Sequence, residues 1–234
     1  MSGNIQRVAG KAMTLTVVVH SYGYAPYLQH FLRSLRDYGD SSKIYTSVFC
    51  HSNDANTLLV AKKFNCAVFD VDRGKVVNRC YGRNLISLNS WQDWIWFASA
   101  DLFFDRRFLG KLQEELKTAE GDAYFFRHVW ECSRRYGDKV FADATVGPDV
   151  KEFRRVKHCK DDSGGTMIVR GDLCRKIGYM KNSIASKPVG NDETEWQPTV
   201  EDVLFRKQVG TWRMLMARKL YHIKHMPIDV KVPV

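Results

Sequence analysis

The chain has 234 residues, a hydrophobic fraction of 44% and an aromatic fraction of 12%, enough apolar material for one sizeable domain core. It contains no uninterrupted apolar run of about 18 residues, which excludes a bilayer-spanning helix, and its six scattered cysteines include no Cys-x-x-Cys pair, which argues against a disulfide framework or a zinc site. The net charge of +10 is spread over both halves of the chain and favours anionic partners such as nucleoside diphosphates, phospholipid headgroups or nucleic acid.

Residues 1–13 read as a flexible leader without a secretory apolar core, which predicts a cytoplasmic protein. The β-rich run 15–19 predicts a first strand, ended by His20-Ser21-Tyr22-Gly23. Pro26 opens a helix whose apolar residues Tyr27, Leu28, Phe31, Leu32 and Leu35 follow the helical period. A second strand over 44–50 runs into His51-Ser52-Asn53-Asp54, a capping cluster for a helix over 55–64. Residues 67–71 read as a short third strand and 83–88 as a helix.

The segment 94–104, Trp-Ile-Trp-Phe-Ala-Ser-Ala-Asp-Leu-Phe-Phe, is a buried-strand pattern that ends in a single carboxylate, Asp101. A charge in that position needs a cation or a donor to compensate it. A helix over 106–119 follows, with Phe108, Leu109, Leu112 and Leu116 on one face. The strand–helix alternation predicts right-handed crossovers and a mostly parallel sheet flanked by helices, an α/β single domain. After a strand at 123–126 the rhythm breaks down, and 127–163 is polar, basic and aromatic by turns. An apolar run at 167–169, a helix at 172–177, a polar loop over 181–198 and a helix over 199–209 complete the reading.

Four motifs occur in order: the strand end His20-Ser21-Tyr22-Gly23, the tripeptide Gly82-Arg83-Asn84, the strand end Ser99-Ala100-Asp101, and Glu201-Asp202 in the first turn of a late helix. This order resembles the family 2 glycosyltransferases of the GT-A fold over residues 14–225, with Gly178-Tyr179-Met180 and Leu220-Tyr221-His222 matching two further segments. The resemblance implies a nucleotide-sugar-binding half over 14–120 and an acceptor-binding half over 121–234. It implies transfer of a sugar from a nucleoside-diphosphate sugar to an acceptor hydroxyl, with inversion. His20, Ser21, Tyr22, Arg83, Asn84, Ser99, Ala100 and Asp101 would contact the donor. Asp101 and His222 would hold a divalent cation, Mn2+ or Mg2+, that neutralises the leaving diphosphate. Asp202 would be the general base, with Glu201 beside it. Trp196 would stack on the acceptor, and the acceptor would be a glycan or glycolipid assembled at the inner membrane surface, or a modified DNA base.

The chain departs from the family pattern at two points. The acidic motif lacks its first carboxylate, since Ser99 stands there, and Phe49-Cys50 replaces the acidic contact to the nucleobase, which leaves the base open. Asp101 as a cap for the following helix, and Glu201-Asp202 as charges complementing a helix dipole, are the plain alternatives. A catalytically degenerate nucleotide-sugar-binding domain and a nucleotidyltransferase stay open as other functions, although His20-Ser21-Tyr22-Gly23-Tyr24 lacks the Gly-rich, cationic loop of the latter.

Overall fold

The computed structural model describes residues 13–38, 43–77, 79–143, 145, 147–155, 166–179, 201–217 and 219–224. Residues 1–12, most of the basic run after Arg155, Gly164-Gly165 and the loop 181–198 with Trp196 lie outside the described residues. Among the described residues, no helix is long and apolar enough to cross a membrane.

Eleven strands and eight α-helices alternate along the described chain. The first half runs β1 (Leu15–His20), α1 (Ala25–Tyr38), β2 (Ile44–Cys50), α2 (Ala55–Lys63), β3 (Ala67–Asp70), α3 (Arg73–Val77), α4 (Arg79–Asn89), β4 (Trp94–Ala98), β5 (Leu102–Phe104) and α5 (Arg106–Lys117). The second half runs β6 (Ala123–Phe126), β7 (Val129–Cys132), α6 (Arg134–Ala142), β8 (Phe153–Arg155), β9 (Thr166–Arg170), α7 (Gly171–Ile177), α8 (Glu201–Val209), β10 (Arg213–Leu215) and β11 (Leu220–His222).

Seven strands form the main sheet in the order β10-β6-β9-β4-β1-β2-β3. Every neighbouring pair is parallel except those made by β9, which runs antiparallel to both β4 and β6. The expectation of a mostly parallel α/β sheet therefore holds. β1 and β4 are continuous apolar runs because both of their faces are covered. Leu15, Val17, Val19, Trp94 and Trp96 face the core under α1 and α5, whereas Val18, Ile95 and Phe97 face a second core with Tyr179 and Phe205. Asp105 caps α5 by accepting from the amides of Arg107 and Phe108, so Asp101 does not cap that helix and remains available for other work.

The stretch expected to lack regular structure after residue 126 in fact supplies two strands of a second sheet, ordered β5-β11-β7-β8. These strands are three or four residues long, too short to leave a periodic signal in the sequence. On the face turned to the main core, register places Phe104, Leu220 and Val129 in one row, all buried. Two residues along each strand, the same face carries the row Leu102–His222–Glu131–Arg154. The face thus changes from apolar to charged within one pleat repeat, and that charged row opens the functional region. The opposite face, with Phe103, Tyr221 and Phe153, packs on Tyr27 of α1 and Val140 of α6.

Helix α6 approaches this sheet through Gly137. A Cβ added there would overlap the carbonyl group of Lys224, immediately beyond β11, and Tyr27 donates its hydroxyl to the Gly137 carbonyl at 3.1 Å. Gly137→Ala should therefore push α6 off the strand that carries His222, destabilising the protein by roughly 1–3 kcal/mol. Urea denaturation checks this: a lowered midpoint with an unchanged slope is expected, and an unchanged midpoint would contradict the packing.

Candidate active site

Asp101 sits beyond the carboxyl end of β4, the position at which open α/β sheets place their ligands. Its carbonyl oxygen accepts from the Ile223 amide at 2.8 Å, which ties the turn to the end of β11. Its Oδ2 lies 3.2 Å from His222 Nε2, and the other ring nitrogen, Nδ1, lies 3.1 Å from Glu131 Oε1. Lys224 Nζ is 3.7 Å from the remaining Glu131 oxygen. Burial would lower the His222 pKa, but the charges of Asp101 and Glu131 and their hydrogen bonds outweigh it and push the value up to about 10. The hydrogen bond from His222 holds the Glu131 carboxyl below its ordinary range despite burial. Without a metal, His222 is thus an imidazolium held between two carboxylates, and a cation bound at Nε2 would take the place of the proton shared with Asp101.

This pair suits a divalent cation. Cis ligands of an octahedral ion with bonds of about 2.1 Å lie about 3 Å apart, close to the observed Asp101–His222 separation. Glu131 on the far ring nitrogen is the outer carboxylate that commonly orients a metal-binding imidazole. No group of three or more His, Cys, Asp or Glu side chains is placed to hold a metal among the described residues. A magnesium- or manganese-type ion needs no such cage, because it is bound by one or two protein ligands together with substrate phosphates and water.

A second polar cluster lies on the other face of the main sheet, beside Phe97. Arg83, with 1% of its side chain exposed, places Nη1 2.5 Å from Asp202 Oδ1 and 2.5 Å from the Tyr179 hydroxyl, which itself donates to Asp202 at 2.8 Å. Arg79 Nη2 is 3.4 Å from Asp202 Oδ2. The helix expected to open at Arg83 begins at Arg79, so the two arginines stand one turn apart on one face and reach the same carboxylate. Burial tends to raise the Asp202 pKa, but Arg83 and Arg79 and the bonds from Tyr179 and Arg83 hold it below the usual range. Gly178, at φ +67°, ends α7 and turns the chain so that Tyr179 enters this cluster.

Several residues expected at the donor site have internal partners. The His20 ring stacks on Phe49 at 4.9 Å between centroids, and its Nε2 is buried against Gly82. Burial, then Arg83 and Arg79, drive its pKa well below 6.5, so it is neutral. Ser21 is buried, with its amide on the Phe49 carbonyl at 3.0 Å. Asn84 accepts the Tyr179 amide at 3.0 Å, and Arg83 is committed to Asp202. Tyr22 keeps a place at the strand ends, 6.2 Å from His51 and beneath the Arg73 guanidinium. Ser99 is half-buried beside Asp101, and Ala100 is buried. Asp202 and Glu201 occupy the first turn of α8. Asp101 follows the carboxyl end of β4, Asp202 is tied through Arg83 to Phe97 on the other face of that strand, and no described contact joins the two clusters.

Glu131, Arg79 and Tyr179 are the site residues that the sequence reading missed. Val129-Trp130-Glu131-Cys132 is buried only at its two ends, so no alternation marks Glu131 as a strand residue.

No protein-family model matches the sequence, and no curated protein matches it in sequence. Solved structures do match the fold. TarS of S. aureus (residues 1–349), in complex with UDP-GlcNAc, is 15% identical with a TM-score of 0.60, covering 95% of this chain and 62% of that one. Glucosyl-3-phosphoglycerate synthase of Mycobacterium tuberculosis, with Mn2+, UDP and glucosyl-3-phosphoglycerate, is 12% identical with a TM-score of 0.54, covering 93% and 74%. Mannosyltransferase PcManGT of Pyrobaculum calidifontis, with GDP-Man and Mn2+, is 14% identical with a TM-score of 0.51, covering 92% and 58%. The fold is that of GT-A glycosyltransferases, and the chain spans about 60% of the length of the first structures it matches.

Breaking the Arg83–Asp202 pair from either side leaves a buried charge uncompensated. Arg83→Met and Asp202→Asn should each cost about 3 kcal/mol near neutral pH. Because the folded pKa of Asp202 lies below its unfolded value, its contribution is complete above about pH 3.9 and is lost as pH falls through the folded value. Chemical denaturation of wild type and Asp202→Asn across pH should show a constant gap from pH 5 to 8 that closes in acid. A gap that widens in acid would contradict this reading.

Proposed function

We propose that this protein is a glycosyltransferase of the family 2 type that moves a sugar from a nucleoside-diphosphate sugar to an acceptor hydroxyl with inversion. The observation that carries the proposal is the Asp101–His222–Glu131 chain at the carboxyl end of β4, on a GT-A fold. Each GT-A structure compared above was solved with a nucleotide or nucleotide sugar, two of them with Mn2+.

In the proposed reaction the acceptor oxygen forms a bond to the anomeric carbon while the bond from that carbon to the β-phosphate oxygen breaks. The electron pair leaves with the nucleoside diphosphate, and the hydroxyl proton passes to a carboxylate. Asp101 and His222 would hold a divalent cation, Mn2+ or Mg2+, which when bound supplies Lewis-acid neutralisation of the departing diphosphate. Asp101 fixes the position of that charge. Glu131 keeps the His222 ring oriented, and the ionised Asp202, with Glu201 beside it in α8, takes the proton. The arginines that hold Asp202 lower its basicity, so its contribution depends on position and charge more than on proton affinity. Ser99, Ala100 and Tyr22 line the donor side, and the acceptor contact expected of Trp196 lies outside the described residues. The acceptor class that goes with the basic surface is anionic, a glycolipid or glycan at the cytoplasmic face of a membrane, with a DNA base as a less favoured acceptor.

A melting-temperature screen with UDP and GDP, each with and without Mn2+, is the first check. A nucleoside diphosphate should raise the melting point by mass action, more so with Mn2+, and Asp101→Asn should abolish the Mn2+-dependent part. Equal stabilisation of wild type and Asp101→Asn would remove Asp101 from the cation site. With the donor so identified, Asp202→Asn should lower kcat by about 10²-fold or more while changing donor affinity little. Unchanged turnover would take the base role from Asp202.

A further inference from the structure

The row Leu102–His222–Glu131–Arg154 continues past the proposed cation site and ends on an exposed cation that the reaction has not used. Strands β11, β7 and β8 are adjacent, so Arg154 stands two strands from His222, about 10 Å across the sheet and on the same face. Arg154 makes no ion pair or side-chain hydrogen bond to any described residue. Its cross-strand neighbour Glu131 has both oxygens engaged, one by His222 Nδ1 and the other by Lys224 Nζ. Lys224 is itself 51% exposed. Lys224 and Arg154 thus stand as exposed cations beside a carboxylate whose two oxygens are already taken.

We infer that Arg154, with Lys224, forms the anion-recognition end of the acceptor site and selects an acceptor carrying a phosphate group near the hydroxyl that is glycosylated. The inference rests on the glycosyl-transfer reading for the role of the neighbouring cluster. Arg154 presents a planar fork that matches two phosphate oxygens, and Lys224 adds a point charge beside it. Because the row starts at the donor's cation site, an acceptor anchored at its far end lies along the sheet face toward the anomeric carbon. Arg155 supplies an internal control. It is the next residue on β8 and equally exposed, but its register partner is Trp130, so it stands on the opposite face of the sheet.

The test is calorimetric binding of sn-glycerol 3-phosphate, glycerate and glycerol to the full chain, alone and with UDP or GDP and Mn2+. A parallel arm uses phosphatidylcholine vesicles with and without one third phosphatidylglycerol, which separates a soluble phosphate from a lipid headgroup. Wild type should bind glycerol 3-phosphate or the phosphatidylglycerol vesicles, with Arg154→Gln at least tenfold weaker, Arg154→Lys intermediate and Arg155→Gln unchanged. Nucleoside-diphosphate binding should be the same in all four proteins. Failure of wild type to bind either phosphate probe, equal weakening by Arg155→Gln, or glycerate binding as tight as glycerol 3-phosphate would each overturn the inference. Loss of nucleoside-diphosphate binding in wild type would instead overturn the transfer reading, because the phosphate measurement without nucleotide stands on its own.

Discussion

A carboxylate placed just past the end of a strand that is buried on both faces has to be neutralised, and in this protein the neutralising groups come from a hundred or more residues further along the chain. Asp101 has 11% of its side chain exposed, and its compensating group is His222, whose own charge is balanced by Glu131. The relay runs from the turn before β5 to β11 and β7 of the small sheet and constrains much around it. β11 must reach back to pair with both β5 and β7, and α6 must approach closely through Gly137 to support that strand from behind. The apolar row Phe104–Leu220–Val129 fixes the register that puts the charged row where it is. A slip of one residue would turn His222 toward Tyr27 and Phe153, and Tyr221 toward the carboxylates.

The second cluster obeys the same electrostatic rule on the other face of the main sheet. Arg83 can be fully buried because Asp202 and the Tyr179 hydroxyl answer it, and Phe97 and Tyr179 lie under its guanidinium at 5.6 and 5.1 Å from their centroids. This links α4, α7 and α8 to the end of β4. Among the described side chains of α8 only Phe205 is wholly buried, so the ion pair is a large part of what seats the helix. In the proposed reaction Asp202 would be a constrained base, since whatever draws Arg79 or Arg83 away from it raises its proton affinity and loosens α8 together.

Most of the main sheet was legible from its apolar runs, but its three-residue edge strand Arg213–Leu215 was not. Residues 15–19 and 94–98 could hardly be anything but buried strands, and the lone Asp101 after the second stood out for the same reason. In the small sheet Leu220–His222 was legible through its resemblance to a late family strand that carries a histidine, whereas Phe153–Arg155 was not, since a three-residue strand carries no period and its pairing with Trp130–Cys132 is decided by tertiary contacts. Arg83 stood out in the sequence as a candidate diphosphate contact, but its partner in the fold, Asp202, was not legible. The sequence motif pointed outward to a diphosphate, whereas the folded chain spends the guanidinium on an internal carboxylate. His20, Ser21 and Asn84 show the same limit, because a motif preserves which residues meet without stating whether they face ligand or core. Asp105 decided one ambiguity: it caps α5, leaving Asp101 for other chemistry.

The proposed chemistry depends on Asp101 and His222, which would together hold a divalent cation beside the donor diphosphate. Pulsed electron paramagnetic resonance of Mn2+ bound with UDP or GDP addresses this directly. The account requires a nitrogen hyperfine coupling from one imidazole that disappears in His222→Gln, together with phosphorus couplings from the diphosphate in the same spectrum. Phosphorus couplings with no imidazole nitrogen, or a nitrogen signal that survives His222→Gln, would contradict it.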